Sequence, residues 1–293
     1  MTTTPIENSH ARKASSGGAG DFLFALLRNG FAIFLLIVIL FPFYYMFITS
    51  LKTVAETRAY PPILYPMNSV GLQNYFEVVT RIDFFAYLRN SVTVSVVVTV
   101  GALFTSSLAG YIFAKFDFRG RDTIFFLIVA TMMVPFHVML IPLFLIVRAM
   151  GIYDSLWALI IPGLVTAWGI FLMRQNMKSI PTEMLDAARI DGASEMAIFL
   201  RIVLPISKPA LAALGVFIFM HYWNDFLWPL IVIEDAPKRT LPLGLALFSE
   251  GFGIARWNIV MAATVMTVLP ILIVFALAQR SFIEGITLGS VKG

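Results

Sequence analysis

Cysteine is absent from the 293-residue sequence, which excludes disulfides, thiolate metal sites and thiol nucleophiles. That absence leaves the redox compartment open. Charge is scarce as well. Asp, Glu, Lys and Arg make up 13% of the chain, about half of what a soluble domain carries. No G-x-x-x-x-G-K-[ST] loop occurs, so the chain does not hydrolyse ATP by itself. G-x-S-x-G and H-E-x-x-H are missing too, and no pair of aspartates lies within the apolar runs, so an intramembrane enzyme is disfavoured. A net charge of +4 is too small to argue for nucleic acid as a partner.

What the chain has instead is apolar length: 59% of its residues are hydrophobic, gathered in long runs. Residues 1–20 are rich in Thr, Ser, Gly and Ala and read as a disordered tail. Six runs follow, at about 31–48, 91–114, 123–147, 156–173, 210–233 and 259–278. Each is long enough to cross ~30 Å of hydrocarbon at about 1.5 Å per residue, and backbone in lipid must pair within its own segment, so each reads as a helix. The first lacks the short apolar core and cleavage site of a signal peptide and reads as an uncleaved span. Pro42, Pro135, Pro142, Pro162, Pro229 and Pro270 are expected to kink these helices. Six spans place both termini on one side. The segments on that side hold thirteen Lys and Arg against eight on the other, which puts both termini in the cytoplasm.

One stretch breaks the apolar pattern. "DAARIDGASEMAIFLRIVLP", Asp186 to Pro205, carries acids and arginines in the long loop 174–209 between the fourth and fifth runs. Pro181 suits the first turn of a first short helix that Thr182 can cap, and Asp191-Gly192 ends it with a left-handed residue. Ser194 suits the cap of a second helix, in which Met196, Phe199, Leu200 and Val203 form one apolar stripe ended by Pro205. Two readings stay open from pattern alone: the stripe docks on another protein, or the loop folds back on its own bundle.

The spacing in this loop resembles the EAA loop of ABC-importer permeases: Asp186, Ala187, Ala188, Gly192, then Ile202, Leu204 and Pro205. Asp186 stands where that family usually has Glu. "YWNDFLWPLIVI", "RTLPLGLALF" and "EGITLGSVKG" are similar to the smaller six-span permease of maltose-type carbohydrate importers, and the resemblance covers nearly the whole chain from about Phe31. The resemblance implies an all-α polytopic membrane protein of the type I importer permease fold. Residues 21–280 would form the permease domain and 281–293 a cytoplasmic tail. It also implies a bacterial inner-membrane location. The expected partners are a second homologous permease subunit, two copies of a cytoplasmic ATPase that uses ATP and Mg, a periplasmic solute-binding protein, and lipid. The chain itself would bind no cofactor or metal. The EAA helices would couple to the ATPase, and Gly289, Val291, Lys292 and Gly293 would reach its dimer interface; a frayed, solvated terminus is the alternative for Lys292. A stand-alone secondary transporter or channel is the other function weighed. It would need ion-coupling residues or an inverted repeat, and the spans offer essentially Asp225 and His221.

Polar residues inside spans default to functional candidates. His221, Tyr222, Trp223, Asn224, Asp225 and Trp228 suit sugar contact or gating, or equally an interfacial aromatic belt with helix-linking polar groups. His137, between Pro135 and Pro142, suits a hydrogen bond to a freed carbonyl or a place on a cavity. Gly251, Phe252 and Gly253 lie in an outer loop whose position resembles the one that probes a binding protein's sugar cleft, with glycines for flexibility. The loop 51–89 could dock the same protein.

Overall fold

The computed structural model describes residues 19–252 and 256–290, and no strand occurs among them. Expected positions 1–18, Gly253, Val291, Lys292 and Gly293 lie outside the described residues. The chain opens with α1 (Ala19–Ser50), twelve residues longer at its start than the apolar run alone suggested, and passes through Pro42 unbroken. The short α2 (Val54–Thr57) and α3 (Gln73–Arg81) lead to α4 (Phe84–Lys115). Then come α5 (Arg121–Ala130), α6 (Phe136–Ala149), α7 (Leu156–Ile160) and α8 (Ala167–Lys178). The polar loop contains α9 (Thr182–Ile190), α10 (Glu195–Ile198), a π turn (Phe199–Val203) and α11 (Leu204–Ile206). The chain finishes with α12 (Lys208–Trp223), α13 (Leu227–Val232), α14 (Leu241–Phe252) and α15 (Trp257–Ser290).

Among the described residues, four helical stretches are long and apolar enough to cross a membrane, and six if each of two bent pairs counts as one span. The first bent pair corrects the expectation of one kinked helix over 123–147. α5 ends in a 3-10 turn at Thr131–Met133, Pro135 caps the start of α6, and the chain bends by 105°. Proline has no N–H to continue the α5 ladder, and the residue before it is pushed to extended backbone; Val134 has φ −83° and ψ 116°.

α4 is the axis of the bundle. It packs along α8 and α12, while α15 packs against α12, α3 and α1. The α4–α8 crossing is close because Gly110 leaves room for it. A Cβ there would sit 2.6 Å from the Met173 Cβ and 2.9 Å from the Arg174 backbone nitrogen. Small residues at such a crossing let backbones approach where dispersion drives helix association. One core joins Val94, Val98, Ala102 and Tyr111 of α4 to Met173, Met177, Leu185, Phe199, Leu214 and Trp228. A second joins Val78, Phe84 and Tyr87 to Trp223, Leu241 and Ile259. The apolar side chains of α1 are exposed from Phe31 to Phe41, as suits a helix whose solvent is hydrocarbon.

Candidate functional site

The polar loop folds as a knob on the end of the bundle where α4 and α8 finish. α9 starts at Thr182, with Pro181 in extended conformation as its cap residue and no side-chain cap, so Thr182 does not cap it. The helix ends at Asp191, and Gly192 takes φ +80°, the left-handed geometry that costs a β-carbon 1–2 kcal/mol or so. Ser194 caps α10 by accepting the Ala197 N–H at 3.3 Å. Pro205 does not stop the second helix. Leu204 is helical at φ −62° and ψ −45°, and the chain turns instead at Ser207, where the second bent pair closes at 77°. The π turn just before Pro205 changes the hydrogen-bond register, which is where a helix can absorb a residue that lacks an N–H.

The expected apolar stripe is also split. Phe199 and Val203 are buried together with Ile198, whereas Met196 and Leu200 are exposed. Leu185 of α9 is fully buried and roots the knob in the main core. Met184 and Ile190 point outward, and Ile190 is 86% exposed. The outer surface of the knob thus mixes exposed Met184, Ala187 and Ile190 with the charges of Glu183 and Asp186. The fold-back reading describes one face of the loop, and the other face is exposed in this chain.

Charged groups fix the angle between the two helices. Arg189 donates from Nη1 to Asp186 at 2.6 Å and from Nε to Glu195 at 2.7 Å, spanning the Gly192 corner. Tyr111 of α4 donates its hydroxyl to Glu195 at 2.9 Å, and Lys115, one turn later, donates to the Ile180 carbonyl at 2.5 Å. Arg174 is buried beneath the knob, donating to the Phe113 carbonyl at 3.0 Å and to Asp122 at 2.7 Å, with its guanidinium 3.8 Å from the Phe125 ring centroid. The charges of Arg189 and Glu195 were visible in the sequence as part of the polar stretch. Tyr111, Lys115 and Arg174 carried no local signal. Of the motif residues, Ala188, Ile202 and Leu204 are partly buried against the core, while Asp186, Gly192 and Pro205 are exposed.

The intramembrane candidates divide. Trp223 and Trp228 are buried, and their indole N–H groups donate to the Thr267 carbonyl at 3.3 Å and the Ala158 carbonyl at 3.0 Å. Both work as helix-linking groups. Asn224 caps the end of α12 on the Met220 carbonyl at 2.8 Å. Asp225 accepts the Trp228 N–H at 3.4 Å and, with His221, Tyr222 and Thr166, supplies the polar part of an otherwise apolar cleft of about 480 Å³ between α6, α7 and α12. That volume is in the range of small-molecule sites. His137 is exposed, its ring 6.4 Å from that of Phe136, and among the described residues no carbonyl near Pro142 accepts from it.

The opposite end of the bundle is tied by polar groups. Asp154, at φ +51°, accepts the N–H groups of Glu234 and Asp235 at 2.9 and 3.1 Å and the Lys238 ammonium at 2.6 Å. Burial works to raise its carboxyl, but Lys238 and the two N–H groups outweigh this and hold it at about 2. Tyr153 donates to Glu234 at 2.8 Å. The Asn90 amide donates to the Pro237 and Arg239 carbonyls, and Arg256 pairs with Glu77 at 2.6 Å. Buried Lys52 donates to the Ile63 carbonyl, and the backbone N–H of Thr53, first among several donors, holds the Glu56 carboxyl below its ordinary range. Gly251 and Phe252 sit in the last turn of α14, so the expected flexible loop is helical up to that point.

This arrangement has relatives. An arabinooligosaccharides transport system permease protein, AraQ of Halalkalibacterium halodurans, is 36% identical over 92% of this chain and 96% of its own. An sn-glycerol-3-phosphate transport system permease protein, UgpE of Pectobacterium atrosepticum, is 36% identical over 86% of this chain and 92% of its own. A solved structure of a bacterial ABC transporter involved in the import of the acidic polysaccharide alginate matches with a TM-score of 0.79 at 25% identity, over 95% of this chain and all of that one. Residues 106–287, which run from the middle of α4 through the knob and the cleft into α15, match the family described as binding-protein-dependent transport system inner membrane components. With more than half its length in that match, the chain belongs to the inner membrane components of binding-protein-dependent transport systems.

Proposed function

We propose that this chain is the permease subunit of an ATP-driven importer of a sugar or sugar derivative, forming half of a translocation pathway with a second, homologous subunit. Relatives named for arabinooligosaccharides, glycerol 3-phosphate and alginate support the solute class. The observation that carries the coupling role is the knob: α9, with Met184 and Ile190 exposed among charged residues, held on a left-handed Gly192 corner at one end of the bundle. Exposed apolar side chains rimmed by charge are what a partner's groove buries. That partner is a separate cytoplasmic ATPase, present in two copies per importer and using ATP and Mg. Asp186, Ala187, Ala188 and Gly192 form the seat and its turn, and Ile202, Leu204 and Pro205 carry the chain back to α12.

On this reading both termini and the knob face the cytoplasm, as the excess of Lys and Arg on that side supports. Gly289, Val291, Lys292 and Gly293 extend toward the ATPase. The opposite end, with the 51–89 segment and residues Gly251, Phe252 and Gly253, faces a periplasmic solute-binding protein. The cleft at Asp225, His221 and Tyr222 lies on the solute path. His137, Trp223, Asn224 and Trp228 belong to the gating and packing around it.

The test is copurification. The chain expressed with its partner permease and ATPase should retain the ATPase through solubilisation. Gly192→Val, which forces a β-branched residue into left-handed backbone, should lose it while membrane insertion stays intact. Full retention of the ATPase by that variant overturns the docking role.

A further inference from the structure

A knob that swings on its own corner could not move the bundle, because a force on α9 would be absorbed at Asp191–Ser194. The structure assigns a linkage that prevents this: Arg189, Glu195 and Tyr111 join α9, α10 and α4 into one rigid lever, and the stroke received at the knob reaches the bundle through α4. The assignment rests on the docking reading above and adds residues outside the motif that signals it.

The geometry is specific. Arg189 sits in the last turn of α9 and uses separate nitrogens for two helices, Nη1 on Asp186 of α9 and Nε on Glu195 of α10. The planar guanidinium fork fixes direction as well as distance, which an ammonium cannot do. Glu195 uses its second oxygen, Oε2, for the Tyr111 hydroxyl at 2.9 Å and for Arg189 Nη2 at 3.3 Å. One carboxylate therefore ties three helices. Tyr111 is itself held: its ring is 2% exposed and packs 5.5 Å from Phe199 and 5.3 Å from Phe116. One turn further on, Lys115 fastens the same end of α4 to the Ile180 carbonyl at the α8–α9 corner. Gly110, one residue before Tyr111, brings α4 against α8 at backbone distance. The end of α4 is thereby fixed to both sides of the knob, and α4 runs the length of the bundle to the Pro237 and Arg239 carbonyls at the far end. A joint built only to shape the loop would need Arg189 and Glu195; the bond to a buried tyrosine of another helix is what makes it a transmission.

The test reads rigidity directly, and the absence of cysteine from this chain means that the only background to remove lies in the partner subunits, whose cysteines are replaced first. Spin labels are introduced at Thr182→Cys on α9 and Val100→Cys on α4, both exposed positions. The assembled importer in nanodiscs is then compared without nucleotide and trapped with ATP and vanadate. With the linkage intact, the label-to-label distance should stay single and unchanged between the two states. In Tyr111→Phe, which keeps the ring and removes only the hydroxyl, and in Arg189→Gln, it should broaden or shift on trapping by about 2 Å, the scale of helix displacements in switching proteins. Arg189→Lys should rescue only part of the rigidity. An unchanged distance in both variants overturns the inference, as does a shift in the unmodified linkage. Loss of ATPase binding by the variants also overturns it, because the residues would then serve docking and not transmission. Failure of the unmodified chain to retain the ATPase at all is a different result, which removes the docking reading itself. Arg189→Gln, at a half-exposed site, keeps the test open if the change at buried Tyr111 prevents folding.

Discussion

The two ends of the bundle solve opposite problems with similar residues. At the far end, acids and amides are spent inward: Asp154 gathers two N–H groups and an ammonium, Asn90 bridges two carbonyls, and Glu77 holds Arg256. Connections distant in sequence are sewn together there. At the knob end the charged groups set the angle between α9 and α10 and tie it to α4, and apolar side chains are turned out at Ile190, Met184, Met196 and Leu200. One end is closed on itself and the other is incomplete alone. On the proposed reading, a subunit that keeps its periplasmic loops in place while receiving force at the knob needs this asymmetry.

Changes that damage the shared frame should have the largest effect, because both ends hang on α4. Gly110→Val places a branched side chain where the Met173 Cβ and Arg174 backbone already stand. It should cost about 1–3 kcal/mol by overpacking, seen as a lowered unfolding midpoint in detergent and a loss of assembly at both ends together. Damage confined to one end would separate the α4–α8 pair from the rest.

The closed end should respond to falling pH through Asp154. Asp154 is held at about 2 against a usual 3.8, so the unfolded chain takes up its proton first as pH falls. The stability this carboxylate contributes is fully present above about pH 4 and is lost as pH drops toward 2. Asp154→Asn should flatten that part of the midpoint-against-pH curve. Equal slopes in the two proteins would mean that the carboxylate does not hold this end.

The smallest effect on stability is expected at the open end. Ile190→Ser removes an apolar side chain that touches water in the isolated chain, so the midpoint should move by less than about 0.5 kcal/mol equivalent. ATPase binding should nevertheless weaken about tenfold, since burial of such a side chain is worth ~1.5 kcal/mol or more. A large loss of stability with unchanged binding would reverse the roles assigned to the two faces of the knob.

This contrast also explains what the sequence could and could not reveal. The Gly192 corner and the Ser194 cap were legible because glycine and serine are chosen there for backbone reasons that act within four residues. The exposure of Met196 and Leu200 was not, because apolar spacing marks a stripe without saying which of its edges faces the bundle; Ile198, Phe199 and Val203 turn inward and Met196 and Leu200 do not. The break at Pro135 was visible as a proline, yet its 105° was not, since lipid asks for apolar side chains whichever way the helix then runs. The far-end ties were hidden for another reason. Asp154 and Lys238 are 84 residues apart, and neither sits in a pattern that names the other. Tyr111 is one more aromatic in an apolar run, and nothing local to it names Glu195, 84 residues away, as its partner.

The π turn below the knob has a bearing on how this region can change. A helix advances about 100° per residue, so the extra residue wound into Phe199–Val203 rotates everything downstream by roughly that amount relative to a plain α-helix. The heading with which the chain enters α12 is therefore written in chain length, not in side-chain identity. Exchanging one residue for another here can only loosen the seam; adding or deleting one would re-aim the whole second half of the subunit.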